Sequence, residues 1–212
     1  MVDIRPFAAL RPPVAATTAV AAPPYDVMNR AEAKALIGRK PSSFLRVTRS
    51  DALLPDSVDP HGDAALAEAL TQLQSLKANK LLVRDEAPCL YLYEQVMGDH
   101  VQVGVVAGVS AQEYADGVIK RHEKTRTAAL EGRRRHIETV ALNTGLVFLT
   151  YRGTAKLDAL VADITDATPT VAFTAEDGIG NRLWVVERGA ALDAFVKGFE
   201  DVPVLYVADG HH

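Results

Sequence analysis

From residue 63 onward, the chain alternates between helical and extended sequence patterns, and only a few fold classes accommodate that alternation. Asp63 can cap a helix that carries four leucines on one face, Gly98 and Asp99 separate two extended runs as a hairpin turn would, and Ser110 suits a helix cap. The remaining runs are extended at residues 89–96, 101–109, 146–151, 170–174, 181–186 and 204–207, and helical at residues 155–164 and 190–199. The alternation predicts an α/β or α+β fold, with a mixed β-sheet flanked by helices.

The first forty residues are rich in proline and show little periodicity. We expect residues 1–40 to form an extended segment with few regular elements beyond residues 30–36. Residues 41–212 are then predicted to form the mixed α/β domain, beginning with a strand at residues 44–48. The single cysteine, Cys89, lies in an apolar strand-like run, which favours a buried, inert thiol.

Composition limits the classes of function. A formal net charge of -4 over 212 residues argues against nucleic acid as the main partner, because duplex binding needs a concentrated basic face. The N-terminus shows no secretion signal, and no apolar run is long enough to cross a bilayer, so we predict a cytoplasmic protein without a membrane partner. The oligomeric state leaves no trace in the sequence.

The final strand-like run ends in chemically active groups. Residues 203–208 are mostly apolar, and they are followed by Asp209, Gly210, His211 and His212. An acid, a turn-forming glycine and two histidines after a buried strand are typical of a binding or catalytic loop. The alternative is that the two histidines are the stub of a purification tag.

A basic segment, residues 120–135, carries the second group of candidates. If its first part is helical, His122, Glu123 and Arg126 share one surface and form an anion-binding edge. The alternative is a solvated helix face. The second histidine of a zincin motif is missing, so we predict no protein-bound metal.

The third candidate pair, Tyr25 and Asp26, follows a Pro-Pro bend. Asp26 has a plainer interpretation as the cap of a turn or of the helix near Arg30. Trp184 and Phe148 lie inside apolar runs, so we predict that both belong to the core and do not stack on bases.

Six strings follow one another along the chain: IRPFAALRP at 4–12, APPYDV at 22–27, SFLRV at 43–47, GVIKRHEKT at 117–125, LW at 183–184 and VADGHH at 207–212. In this order they resemble the motifs of the bacterial and archaeal family called domain of unknown function 1015. The chain departs from the family pattern at two places. Gly132 stands where the family tends to have aspartate, and residues 180–182 lack a histidine that family members often have before the Leu-Trp pair. The chain also stops before the arginine that follows the family's histidine pair, which implies an N-terminal portion or a short form.

The resemblance implies a function. The last motif is similar to the phosphate-binding motif of the ParB/sulfiredoxin-like superfamily, which includes nucleotide-dependent kinases of free serine, and it implies such an element near the C-terminus. ATP or ADP with Mg²⁺ would be the cofactor. The roles that follow are catalytic for Asp209, His212 and Glu123, nucleotide-binding for Gly210, His211, His122 and Arg126, and substrate-binding for Tyr25 and Asp26.

Two hypotheses remain open from the sequence. The first is a small-molecule phosphotransferase that phosphorylates a free hydroxyl amino acid such as serine. The second is a binding or regulatory module that senses a nucleotide or phosphometabolite without turning it over. A DNA-associated protein is a weaker third idea, because the chain is acidic and shows no helix-turn-helix pattern.

Overall fold

The computed structural model describes residues 1–122 and 125–210. In chain order, the strands are β1 (Ile4–Arg5), β2 (Leu10–Arg11), β3 (Val83–Arg84), β4 (Leu90–Met97), β5 (His100–Val106), β6 (Gly108–Val109), β7 (Ile119–Lys120), β8 (Phe148–Thr150), β9 (Val171–Thr174), β10 (Gly180–Val186) and β11 (Leu205–Asp209). The α-helices are α1 (Thr17–Val20), α2 (Arg30–Arg39), α3 (Leu45–Thr48), α4 (Asp63–Ala78), α5 (Ala111–Ala115), α6 (Thr127–Val140), α7 (Ala155–Thr165) and α8 (Ala190–Glu200). Two 3-10 turns, Val14–Ala16 and Ser50–Leu53, complete the elements of the described residues.

The chain divides into two compact units. The sheet unit comprises residues 1–10, 84–122 and 147–210, and the helical unit comprises residues 11–83 and 125–146. Both units are therefore discontinuous in sequence, whereas composition predicts a single boundary at residue 40.

The sheet unit is built around an antiparallel sheet with the strand order β5-β4-β10-β9. Opposite residues share a face, so Leu90 lies beside Val186 and Leu92 beside Trp184 on the side that packs into the core. From α7 and α8, Leu157 and Phe195 complete that core and are fully buried. Burying these large apolar side chains is the main source of stability for the unit.

A second sheet of the same unit carries the C-terminal strand in its centre, in the order β7-β11-β8. Strand β11 runs parallel to β7 and antiparallel to β8. Leu205 and Val207 of β11 and Ile119 of β7 belong to the core of the sheet unit. The side chains of these residues fix which face of the small sheet is inner and which is outer.

In the helical unit, a small core joins α2 to α3 through Ala33, Ile37 and Leu45. Helix α2 begins with a capping box, in which the Asn29 side chain accepts from the Glu32 amide and the Glu32 side chain accepts from the Asn29 amide. This reciprocal cap satisfies amides that would otherwise lack partners at the helix start.

The predicted mixed α/β fold is confirmed, as are the hairpin at Gly98, the Ser110 cap and the helices and strands after residue 146. The strand predicted at residues 44–48 is wrong, because residues 45–48 form helix α3 and Phe44 is its N-cap residue. The Thr48 amide donates to the Phe44 carbonyl at 3.2 Å, and Leu45 and Val47 are both buried in this conformation. Burial inside the helical unit outweighs the strand preference of the β-branched residues.

Two smaller corrections concern single residues. Gly62, and not Asp63, occupies the N-cap position of α4. Phe148 was predicted to lie in the core, but it is 46% exposed, whereas Trp184 is buried as predicted. Among the described residues, no helix combines the length and the apolar character that a membrane crossing requires.

Candidate functional site

The parallel pairing of β7 and β11 brings two sequence motifs to one edge of the sheet. Leu205 lies opposite Ile119, and Tyr206 lies opposite Lys120. Because the strands are parallel, their carboxyl ends lie side by side, and this is the edge at which open α/β sheets commonly bind ligands. His122 follows the end of β7, and Asp209 and Gly210 lie at the end of β11.

The His122 ring is anchored to the C-terminal strand. Its Nδ1 atom lies 2.9 Å from the carbonyl oxygen of Val207. A carbonyl oxygen only accepts, so Nδ1 carries the hydrogen and donates it. In the neutral ring the lone pair is therefore on Nε2, which is the arrangement of a histidine that acts as a hydrogen-bond acceptor or base.

A bulge in β11 decides where Asp209 points. Val207 lies opposite Leu149, yet Asp209 lies opposite Phe148, so Ala208 is an extra residue in the ladder. Regular alternation would place Asp209 on the inner face with Leu205 and Val207. The extra residue moves Asp209 to the outer face beside Phe148, and both Ala208 and Asp209 are exposed. Bulges commonly aim functional side chains in this way.

Gly210 completes the strand end. Its φ of 72° lies in the left-handed region that favours glycine, as the sequence predicts. The Gly210 amide donates to Asp209 Oδ1 at 2.7 Å, which holds the carboxylate close to the backbone. His122, which the sequence selected apart from Asp209 and Gly210, therefore lies at the same strand end as these two residues. We call these three residues the strand-end site.

The outer face beside the strand-end site carries aromatic and cationic side chains. Tyr206 and Phe148 are 45% and 46% exposed, and Lys120 Nζ lies 5.9 Å from the centroid of the Tyr206 ring. Sequence reasoning did not consider Tyr206, and it placed Phe148 in the core instead of on a stacking surface. The alternation of buried Leu205 and Val207 about Tyr206 could have indicated an outward tyrosine, but the bulge that brings Asp209 beside Phe148 has no signal in the sequence.

The helical arrangement predicted for His122, Glu123 and Arg126 is wrong where the structure describes it. Helix α6 begins only at Thr127, and Arg126 is its N-cap residue, without a side-chain cap hydrogen bond. His122 follows β7 because residues 119–120 pair with β11. Arg126 is exposed and belongs to the helical unit. Glu123, His211 and His212 lie outside the described residues, so their predicted roles stay predictions.

Tyr25 lies in a different environment, inside the helical unit. The Arg133 guanidinium stacks over its ring, with the guanidinium carbon 4.5 Å from the centroid. Arg49 Nη1 donates to the Tyr25 carbonyl at 3.1 Å. Asp26 is exposed in a turn and does not cap α2, a position taken by Asn29. From the sequence alone, Arg133 is only one member of the basic segment, and nothing there indicates its contact with Tyr25.

A hydrogen-bond chain runs from Arg133 into the interior of the helical unit. Arg133 Nη2 donates to Thr144 Oγ1 at 3.0 Å, and that hydroxyl lies 3.4 Å from His136 Nδ1. His136 Nε2 donates to the Val47 carbonyl at 3.0 Å, so a neutral ring accepts from Thr144 at Nδ1. Burial, assisted by the nearby Arg133 charge, lowers the pKa of His136 below its ordinary value, against the opposing effect of the Val47 carbonyl.

The carboxylate of Asp51 is likewise enclosed. Its side chain is 6% exposed, and Arg49 Nε lies 3.0 Å from its Oδ1 atom. Arg30 Nε lies 3.9 Å from Asp51 Oδ2. Arg30 also donates to the backbone carbonyls of residues 51, 54, 55, 56 and 58. The acid and both arginines therefore serve to hold a loop against the helices.

Within residues 1–122 and 125–210, no three histidine, cysteine, aspartate or glutamate side chains gather in a way that could hold a metal ion. Cys89 is buried, as predicted from its apolar surroundings.

Comparison with known proteins places the chain in a family. No curated protein and no solved structure matches it. The model of one family, described as "Protein of unknown function (DUF1015)", matches residues 4–212. That match covers nearly the whole sequence, and the chain therefore belongs to the DUF1015 family.

Proposed function

We propose that this protein is a phosphotransferase that moves a phosphoryl group from ATP or ADP, with Mg²⁺, to the hydroxyl group of a free amino acid such as serine. The observation that supports the proposal most is the strand-end site. There the bulge at Ala208 turns the Asp209 carboxylate outward, and the His122 ring is held by the carbonyl oxygen of Val207, two residues before Asp209 on the same strand. The ParB-like element implied by the sequence resemblance belongs to the same proposal.

In the proposed reaction, the oxygen of the acceptor hydroxyl forms a bond to the terminal phosphorus of the nucleotide. The bond between that phosphorus and the bridging oxygen breaks, and the shorter nucleotide leaves with the bonding electrons. The hydroxyl proton passes to the Asp209 carboxylate. Phosphoryl transfer is helped mainly by positioning and by charge near the phosphate oxygens, so an exposed, backbone-held carboxylate suits the role of base.

In the proposal, the histidines and Arg126 bind the phosphates of the nucleotide. His122 keeps its Nδ1 hydrogen on the Val207 carbonyl, and its exposed ring lies at the strand end where the proposal puts the phosphates. His211, His212 and Arg126 remain predicted phosphate contacts, and Glu123 remains a predicted acid/base group. Tyr25 and Asp26 remain predicted contacts of the acceptor and need a separate test, because they belong to the helical unit.

The residues present are compatible with a nucleotide that brings its own Mg²⁺. The ion prefers oxygen ligands and usually keeps several waters, so the nucleotide phosphates and water would hold it, and the exposed Asp209 carboxylate would remain the base. When bound, Mg²⁺ would neutralise negative charge on the transferring phosphate. The proposal places the reaction in the cytoplasm.

Phosphorus NMR of the protein with MgATP or MgADP and L-serine tests the proposal. We expect a phosphomonoester signal from the wild type and from Asp163→Asn, which changes an exposed aspartate of α7 in the same unit. Asp209→Asn removes the proposed base, and we expect the signal to form about 100-fold more slowly or not at all.

The same spectra separate the alternatives. Nucleotide signals that shift or broaden without any product would favour the binding or regulatory module over the enzyme. A product signal of equal intensity from Asp209→Asn would remove Asp209 from the chemistry. Spectra that the protein leaves unchanged would contradict both functions.

A further inference from the structure

The outer face of the β7-β11-β8 sheet differs from the inner face in a way that the proposed reaction does not use. The inner face is apolar and buried, through Ile119, Leu205 and Val207. The outer face is exposed, yet two of its side chains are aromatic rings, Tyr206 and Phe148. Large apolar side chains that stay on the surface beside a candidate site are common where a ligand binds.

We infer that this outer face is a stacking surface for the base of the nucleotide, with Tyr206 and Phe148 as the two rings. The inference rests on the proposed function, because it assigns the base of the same nucleotide. Aromatic rings stack against nucleobases with little regard to sequence, since every base presents a flat π face.

The register of the sheet supports this assignment. Tyr206 lies opposite Thr150, and Phe148 lies two residues further along β8. Such diagonal neighbours on adjacent strands are about 7–8 Å apart, within reach of aromatic side chains. Phe148 also lies opposite Asp209, so a base held on these rings is close to the strand-end site where the proposal puts the phosphates.

The charges on this face favour a single nucleotide over a nucleic acid strand. Lys120 is exposed, and its ammonium group lies near the Tyr206 ring, so a positive charge stands beside the proposed base. Strand-binding proteins instead line a groove with many cations, and this chain has a formal net charge of -4.

Titration calorimetry with MgATP and with magnesium tripolyphosphate, which has no base, tests the inference. Tyr206→Leu and Phe148→Leu each remove one ring. We expect each change to weaken ATP binding at least fivefold and to leave tripolyphosphate binding unchanged, because stacking contributes about 1–3 kcal/mol per base. Tyr206→Phe keeps the ring and should bind ATP as the wild type does.

Phe173→Leu is the matched control, since it removes a half-buried ring from β9, at the edge of the other sheet. Wild-type ATP affinity in both ring variants would overturn the inference, as would an equal loss of tripolyphosphate binding. Tight, steeply salt-dependent binding of oligouridylate, without ring-dependent ATP binding, would overturn it in favour of a nucleic acid strand.

Serine turnover, measured on the same samples, keeps the two proposals separate. If the enzyme forms phosphoserine and neither ring variant changes its ATP affinity, only the stacking surface is overturned. Ring-dependent ATP binding without phosphoserine supports the stacking surface and overturns only the transfer reaction.

Discussion

The sheet unit and the helical unit both contain histidine and acidic side chains close to cationic ones. The histidine and the acid of the candidate site in the sheet unit are exposed, whereas those of the network in the helical unit are buried. In the sheet unit, Asp209 and His122 are exposed at a strand end, each held by a hydrogen bond to or from the backbone. In the helical unit, Asp51 and His136 are buried, with partners on their polar atoms. Polar groups that are enclosed and satisfied stabilise a fold, whereas exposed and oriented groups are available to a ligand.

The largest effect that tests this difference is expected at Asp51. Asp51→Asn removes a buried negative charge, so Arg49 loses its carboxylate partner and Arg30 keeps only the exposed Asp56 nearby. Breaking a buried ion pair from one side costs about 3 kcal/mol or more. We therefore expect the free energy of unfolding, measured by urea titration with circular dichroism, to fall by about that amount.

Asp56→Asn is the control for that measurement. Asp56 lies 3.8 Å from Arg30 Nε but its side chain is 89% exposed, so its loss should cost less than about 1 kcal/mol. If Asp51→Asn were as stable as Asp56→Asn, the buried contacts of Asp51 with Arg49 and Arg30 would not stabilise the fold. That result would contradict the structural role that the account gives to the buried groups of the helical unit.

A smaller effect is expected from pH, through His136. The folded state lowers the pKa of His136 mainly by burial, so the unfolded chain binds the proton more readily. The free energy of unfolding should therefore fall as the pH drops below about 6.5, the ordinary pKa of histidine. Above that pH both states are neutral at this residue and its contribution is constant.

Urea titrations between pH 7.5 and pH 5.5 measure this dependence. His136→Gln should flatten the decline, whereas His61→Gln, which changes an exposed histidine of the same unit, should keep it. A decline of equal slope in the wild type and in His136→Gln would assign the pH dependence to other groups.

Much of the fold was predictable because the sequence after residue 63 follows simple periodic patterns. Strand β4 and helices α7 and α8 lie within one residue of their predicted positions, whereas β5 ends three residues before its predicted end at residue 109. The error at residues 44–48 has a physical cause, since Leu45 and Val47 can be buried together in a strand or in a single helical turn. Only the packing around α3, which the sequence does not display, selects the helix.

The candidate site was predictable as a set of residues but not as an arrangement. The sequence selected Asp209, Gly210 and His122, and the parallel pairing of β7 with β11 brings them together. That pairing joins positions 85 residues apart, as in the His122–Val207 hydrogen bond, and periodicity does not report long-range contacts. Phe148 was assigned to the core for the same reason, because its side is set by the register of β8.

The most direct test of the difference between the units is a histidine NMR experiment on the whole chain. Spectra of ¹⁵N-labelled histidine rings, assigned with His122→Gln and His136→Gln, report both units in one sample. On addition of MgADP, we expect the His122 ring signals to shift and the His136 signals to stay in place. Shifts at His136 with none at His122 would contradict the strand-end site.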